Sequence, residues 1–472
     1  MKKLPALCKS LALCLASAPL LSALAQNIEP QKLSFDAAWN RVKDTSEKLA
    51  AAQAAMDHKT LQGEGLQGLG GPSVSVSGAA FAYSAHLDVS LDPINQRLTQ
   101  ISQQLPVPLE NLPIPLPVPQ FPAMYSYKKE DTAATASVST VWPIYLGGAT
   151  DAVRGLVGAQ ADEALADVQR TSHELATQLA QRYFGAQLAA KAASLREAAV
   201  RNVERHDQAA EKMLAAGVLS RVERLQVRAA FEDARRNALK ARDDAELASV
   251  ALARTVHTDG TVAPQTALFV LTQPLQGLPY FTEAALNHHP GLAKVAAKKA
   301  QAQRLHEGEE AARKPQVFAF GQHQIKDKNP DWAAGIGAKW TLFDSLGRDK
   351  LSAASEQQIR QAEHMDLQAR SDIALLVERN WKVLEQARRQ FLSVQTAVDL
   401  AQELLRLRTA GLKQGTSTTL ELMDAETNSA KVQTERAQAA YEYTVALAHL
   451  LESCGLSEEY GAYVARADVW VQ

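Results

Sequence analysis

Apolar and polar positions change period several times along this chain. From Phe81 to Leu91 they alternate, with Phe81, Tyr83, Ala85, Leu87, Val89 and Leu91 on one face and Ala82, Ser84, His86, Asp88 and Ser90 on the other. Period two is the pattern of a β-strand. Val74 and Val76 fall in the opposite phase, which predicts a bulge near Gly78. A second run sets Ala134, Ala136, Val138, Trp142 and Ile144 against Thr135, Ser137 and Ser139. Another sets Trp332, Ala334, Ile336, Ala338, Trp340 and Leu342 against Gly335, Gly337, Lys339 and Thr341. Val317 to Ile325, between them, alternates poorly and is the weakest of the four strands. Elsewhere the period lengthens. Gly148–Ala216 and Leu346–Gln414 contain no proline and place apolar residues at coiled-coil spacing, as at Leu165, Val168, Leu175 and Leu179 or Ile373, Leu376, Val383 and Ala387. Each run extends for roughly 100 Å if helical, too long for an ordinary globule.

These elements occur twice. Val141-Trp142-Pro143-Ile144-Tyr145 echoes Lys339-Trp340-Thr341-Leu342-Phe343 at an offset of 198 residues. The same offset pairs Leu175 with Ile373, Leu179 with Val377, Tyr183 with Trp381, Gly217 with Gly415 and Leu225 with Met423. Asp36-Ala37-Ala38-Trp39 and Glu283-Ala284-Ala285-Leu286 each open a helix ahead of a hairpin. The repeat predicts a division into residues 26–258 (hairpin about 73–145), a Gly- and Pro-containing connector at 259–279, a second unit at 280–456 (hairpin about 315–343) and a tail at 457–472. Return helices are expected from about Arg221 to Val256 and from about Leu420 to Glu452. The first hairpin carries an insert, 92–131, whose Leu-Pro-Val-Pro and Leu-Pro-Ile-Pro-Leu-Pro-Val-Pro spacing favours extended chain and excludes helix; in a barrel it is a long surface loop.

Composition adds a compartment. Lys2, Lys3 and Lys9, an apolar stretch from Leu11 to Leu21 and Ala23-Leu24-Ala25 make residues 1–25 a secretory signal peptide. Leucine precedes both Cys8 and Cys14, where a lipoprotein signal needs a small residue, so lipidation is not expected, and only Cys454 remains in the mature chain. The whole chain has 50 basic and 52 acidic residues; with no basic excess, a nucleic-acid partner is not expected. Beyond Gln26 no stretch approaches the roughly 20 apolar residues of a membrane helix. Period-two runs of about ten residues with aromatics near their ends suit transmembrane barrel strands, although a half-buried soluble sheet has the same period. Four strands are too few to close a barrel, because the smallest have about eight; a barrel here requires an oligomer.

The segment Gly415-Thr416-Ser417-Thr418-Thr419-Leu420-Glu421-Leu422-Met423-Asp424-Ala425 resembles the turn motif of the TolC family of outer-membrane channels. Gly217-Val218-Leu219-Ser220-Arg221-Val222-Glu223-Arg224-Leu225 resembles the matching turn of the first repeat, and the resemblance runs from about residue 33 to 452. It implies an α plus transmembrane-β fold. A homotrimer would form one twelve-stranded barrel, four strands per chain, in outer-membrane lipid, on a long periplasmic α-helical barrel tapering near Gly217 and Gly415. It further implies an exit duct of a tripartite efflux pump or type I secretion system, docked to a periplasmic adaptor and an inner-membrane transporter. By motif position Glu421 and Asp424 would ring the closed periplasmic end, and three copies of each carboxylate would favour cations at a narrow mouth. Both acids also suit an ordinary helix start. The family's locking tyrosine and arginine are replaced by Leu412 and Ser417, while Glu223 keeps the first-turn acid and Arg221 or Arg224 could supply the positive partner.

No catalytic constellation or cofactor site is expected. His288-His289 reads as a surface pair without a ligand partner, and His323 as a polar residue on the lumen side of its strand. The rival reading is a periplasmic or secreted coiled-coil scaffold, which leaves the duplicated alternating hairpins unexplained.

Overall fold

The computed structural model describes residues 31–104, 120–325, 331–343 and 345–471. The expected signal peptide and the Pro-rich stretch from Leu105 to Pro119 lie outside the described residues. In chain order the elements are β1 (Gln31–Leu33), α1 (Phe35–Thr45), α2 (Glu47–Gly65), β2 (Ser73–Ser90), α3 (Asp92–Gln103), β3 (Met124–Tyr145), α4 (Ala149–Ala215) and α5 (Arg221–Thr255). Then follow β4 (Val262–Pro264), β5 (Leu268–Val270), α6 (Leu278–His288), α7 (Pro290–Ala311), β6 (Gln316–Gln324), β7 (Trp332–Lys339), α8 (Arg348–Lys413), α9 (Thr419–Cys454), α10 (Tyr460–Ala465) and β8 (Val469–Val471). The helices α4 and α8 have 67 and 66 residues, and no helix among the described residues is long and apolar enough to cross a membrane.

Two compact units are present. One comprises residues up to 52 with 168–290 and 370–472; the other comprises 53–167 and 291–369. In the first, aromatic rings fill the core: Phe35 stacks on Phe184 (centroids 5.5 Å), and Tyr183, Phe269, Tyr443 and Tyr460 surround them. The Tyr183 hydroxyl donates to the Leu33 carbonyl (2.6 Å) and accepts from the Thr266 amide (2.8 Å). One phenol thereby satisfies backbone groups on both sides of the parallel β1–β4 pair, where an unmet partner would be costly. Trp381, its counterpart at the 198 offset, donates to the Gln276 carbonyl (3.2 Å). Repeat-related positions are buried alike: Leu175 and Ile373 are 7% and 8% exposed, and Leu179 and Val377 are both fully buried.

The second unit carries the sheet, antiparallel in the order β2-β3-β6-β7. Its helices are joined by polar contacts, including Lys294 to Asp167 (2.8 Å), Lys298 to Glu163 (2.8 Å) and Lys299 to Glu363 (3.1 Å). The Arg154 guanidinium donates to the Gln67 and Leu69 carbonyls at 2.7 and 2.5 Å, satisfying groups left open beyond the end of α2.

Three expectations change. The β2–β3 register runs from Ser73 opposite Val141 to Ser90 opposite Met124 without interruption, so there is no bulge at Gly78; the irregularity falls instead between Pro143 and Tyr145, against β6. The insert after β2 begins as helix, because α3 occupies Asp92–Gln103, ahead of the prolines and with Pro93 in its first turn, where a missing N–H costs nothing. Its Asn95 side chain donates to the Phe121 carbonyl and accepts from the Phe121 amide, both at 2.8 Å. The helix α6 starts at Leu278, with Pro279 in its first turn, ahead of the Glu283 echo.

Register also explains the weak strand. Paired residues share a face, so Val317, Ala319, Gly321 and His323 of β6 lie with Val138, Trp332, Ile336 and Ala338. His323 is therefore on the apolar face, not with the polar set. Phe318 and Phe320 lie on the polar face with Gln322 and Gln324, their rings over Gly337 and Gly335, where an added Cβ would come within 2.6 and 3.0 Å of ring atoms. Aromatic rings lying over glycines spoil the alternation without exposing the strand's backbone.

Phe184→Ala should destabilise the first unit by about 3–5 kcal/mol, read as lower heat and protease resistance. Tyr183→Phe, which removes only the hydroxyl, should cost about 1–3 kcal/mol by the same assays.

Candidate gate at the two helix turns

The long helices end identically. After α4, the Val218 amide donates to the Met213 carbonyl (2.9 Å) and the Gly217 amide to the Leu214 carbonyl (3.0 Å). After α8, Thr416 donates to Gly411 (2.9 Å) and Gly415 to Leu412 (3.2 Å). This double closure needs a left-handed residue at the first of the two donors, and both glycines have φ of 73°. A Cβ at either would meet nothing within 4 Å; conformation, not space, requires glycine.

Each return helix then starts with a reciprocal cap. Ser220 Oγ accepts from the Glu223 amide (3.2 Å) while Glu223 Oε2 accepts from the Ser220 amide (2.8 Å). Thr418 Oγ1 accepts from the Glu421 amide (3.2 Å) while Glu421 Oε2 accepts from the Thr418 amide (2.9 Å). All four positions keep the 198 offset. The S-x-x-E and T-x-x-E spacing in the sequence was the available signal.

The structure thus gives Glu223 and Glu421 a definite local task. The hydroxyl and amide of Ser220 hold the Glu223 carboxyl below its ordinary range. The Thr418 amide, then the nearby Arg408 charge, does the same for Glu421. Arg408 approaches Glu421 to 3.2 Å. Asp424, one turn along the same side of α9 as Glu421, is exposed, and so is Arg221 at the first position of α5.

Arg224 is committed elsewhere. It meets Asp207 of α4 at 2.7 Å, and Arg228 meets the same carboxylate at 3.1 Å; the Asp207 side chain is 7% exposed. Glu211 adds a contact to Arg224 at 3.5 Å. His206 lies 3.4 Å from Glu426 of α9, and Val203, Ala210, Val227 and Met423 form an apolar cluster between these helices. Sequence reasoning missed Asp207, Arg228, Arg408 and the His206–Glu426 contact. Residues 207 and 228 lie equally far either side of the Gly217-Val218 turn, so only the folded-back hairpin makes them neighbours.

His289 is half-buried rather than a surface residue. It lines a cavity of about 410 Å³ with Arg379, Asn380, His449 and Glu452, and burial, then the neighbouring His173, lowers its pKa. Among the described residues no group of three His, Cys, Asp or Glu is placed to hold a metal ion.

Paired helices of this length, duplicated and bearing a four-stranded antiparallel sheet that is apolar on one face, define an outer-membrane duct. The chain belongs to the outer membrane efflux protein family, whose model matches residues 118–256 and 282–456. It is a transport protein of the outer membrane rather than an enzyme. No curated protein matches it by sequence. Its fold is similar to the outer-membrane channel OprN (TM-score 0.69, 16% identity, 89% of each chain). It also resembles the Campylobacter jejuni CmeC outer membrane channel (0.68, 14%, 97% of each) and the open state of the Neisseria gonorrhoeae MtrE outer membrane channel (0.67, 16%, 89% of this chain and 88% of that one).

Gly415→Ala should cost about 1–2 kcal/mol at the turn, read as roughly five- to thirtyfold faster amide exchange around residues 412–420. Asp207→Asn strips a buried ion cluster of its anion and should cost about 3–5 kcal/mol. With both capping carboxyls depressed, their stabilisation is complete above the ordinary value of about 4.3 and is lost as pH falls through the lower folded values. Amide exchange at both helix starts should stay protected at pH 5 and open only on further acidification.

Proposed function

We propose that three copies of this chain close one barrel and form the exit duct of a tripartite efflux pump or a type I secretion system. The duct would receive substrate from an inner-membrane transporter through a periplasmic adaptor. The observation that carries the reading is the sheet: among the described residues β2 and β7 are edge strands without partners. Within hydrocarbon, open edges leave backbone groups unsatisfied. Pairing the β2 of one copy with the β7 of the next removes the open edges along the length of β7, and three copies give twelve strands.

The faces support it. Val74, Val76, Val138, Trp142, Ile336 and Trp332 would meet lipid, with tryptophans toward both ends as membrane barrels arrange them. Ser75, Ser77, Ser137, Ser139, Gln322 and Lys339 would line the lumen; two serine pairs bond between β2 and β3 on this face at 2.8 and 3.0 Å. The signal peptide at 1–25 would export the chain without lipidation. Repeat boundaries at 26–258, 259–279, 280–456 and 457–472 would put one long helix pair in each half.

The gate would lie at the Gly217 and Gly415 turns. Glu421 and Asp424 would set negative potential at the narrow mouth, with Glu223 and Arg221 on the adjoining hairpin. Capping does not remove Glu421's charge; it fixes the carboxylate's place, and the exposed Asp424 adds a second.

Single-channel recording in planar bilayers tests this. Wild type should give small cation-selective openings, and Glu421→Ala/Asp424→Ala should lose that selectivity. Unchanged selectivity would remove the gate and keep the channel, whereas a protein found soluble and silent in bilayers would favour the scaffold.

A further inference from the structure

The uninterrupted β2–β3 register has a consequence at the outer end of the sheet. The strand β6 stops pairing at Gln324, opposite Ser137, but β2 and β3 continue together from Gly78 opposite Ala136 to Ser90 opposite Met124. That two-stranded ribbon extends roughly 40 Å at about 3.3 Å per residue. With no bulge to rotate the strand, its faces can be followed from the barrel outward, and both change character at the same height. The face bearing Val74, Val76 and Val138 stays apolar through Ala80, Ala82 and Ala134, then becomes charged. His86 meets Asp88 (3.1 Å), Lys128 meets Glu130, and Ser84 donates to Glu130 (3.4 Å). The face bearing Ser75, Ser77, Ser137 and Ser139 becomes mainly apolar instead, carrying Phe81, Tyr83, Leu87, Val89, Tyr125 and Tyr127, with Asp131 and Lys129 opposite Tyr83 and Ala85 as its charged members.

Charge on the outer face beyond the lipid is what water requires. An apolar face on the lumen side is not: Phe81, Leu87, Tyr125 and Tyr127 are 50%, 58%, 56% and 49% exposed in the single chain. So many exposed aromatic and aliphatic side chains on one face, densest from Leu87 and Val89 to Tyr125 and Tyr127, mark an interface. The β2 edge has 18 residues against eight in β7, so a neighbouring copy's β7 cannot cover the ribbon by strand pairing.

We propose that the apolar inner faces of the three ribbons, centred on Phe81, Leu87 and Tyr127, lean together over the channel mouth and form a hydrophobic collar between copies. The occupant of each face is a second copy of this chain, because the surface continues the lumen side of the proposed barrel interface and faces its threefold axis. The collar rests on the trimeric channel reading. It places a second constriction, lined mainly by apolar side chains around Leu87 and Tyr127, at the ribbon end of the channel, and an apolar constriction limits ion flow by dewetting.

Single cysteines distinguish the faces. Cys454 is the only cysteine among the described residues; it is buried, and burial pushes its thiol up to about 12, so introduced thiols react selectively. In purified wild-type-like trimers, Leu87→Cys should be joined between copies by a short bis-maleimide. His86→Cys, one residue away on the outer face, should instead react with an impermeant maleimide and stay uncross-linked. Phe81→Ser/Leu87→Ser/Tyr127→Ser should raise single-channel conductance about twofold or more. Leu87→Cys as open to the impermeant reagent as His86→Cys, without cross-links and with unchanged conductance in the serine variant, would overturn the collar while leaving the channel intact. Monomers without conductance from wild type would remove the channel and the collar with it.

Discussion

A backbone that crosses hydrocarbon has no water to satisfy its N–H and C=O groups, and this constraint orders the rest of the molecule. The chain provides only four strands for its sheet, ending in the bare edges of β2 and β7. An open four-stranded sheet is not a stable solution in lipid, so assembly is a condition of the fold rather than an addition to it. The proposed threefold closure then dictates what each face of each strand must be. Serines that bond across β2 and β3 suit a wet interior, while valine, alanine and tryptophan on the reverse suit lipid. The rings of Phe318 and Phe320 are compatible with a polar face because they lie over Gly335 and Gly337.

The helices meet a related constraint by different means. A helix of 67 residues satisfies its own backbone except at its ends, and the same solution appears at both turns. A left-handed glycine closes one helix, and a hydroxyl–carboxylate exchange opens the next. Duplication copied the terminal chemistry together with the helices. What differs between the halves is what packs beside the turns: Leu225 is exposed, whereas its counterpart Met423 is buried against Val203, Ala210 and Val227. The first hairpin is further fastened by Asp207 with Arg224 and Arg228. The second has a more exposed contact, Arg408 to Glu421. Because screening weakens exposed pairs, the ion pairs hold the two hairpins with unequal strength.

The aromatic core is where both halves are tied together within one unit. Residues from α1, α4, β5, α9 and α10 meet around Phe184 and Phe269, and the Tyr183 hydroxyl bridges β1 and the segment between β4 and β5. Long helices alone have no reason to stop sliding along one another; interlocked rings and a buried phenol fix their register.

The sequence by itself determined what depends on local pattern. Proline-free coiled-coil spacing yields the two long helices, the 198-residue offset yields the duplication, and Gly217 and Gly415 mark turns whose left-handed backbone glycine adopts at least cost. Alternation yields three of the four strands. It misplaced the phase of β2, because a reversal of faces along one continuous strand looks the same in sequence as a bulge; only pairing with β3 tells them apart. The capping roles of Glu223 and Glu421 were legible in their spacing. The partners of Arg224 and Arg408, the apolar neighbours of His323 and the half-buried setting of His289 were not. Those contacts join residues brought together by chain reversal or strand pairing, and only the tertiary structure decides which charges and rings become neighbours.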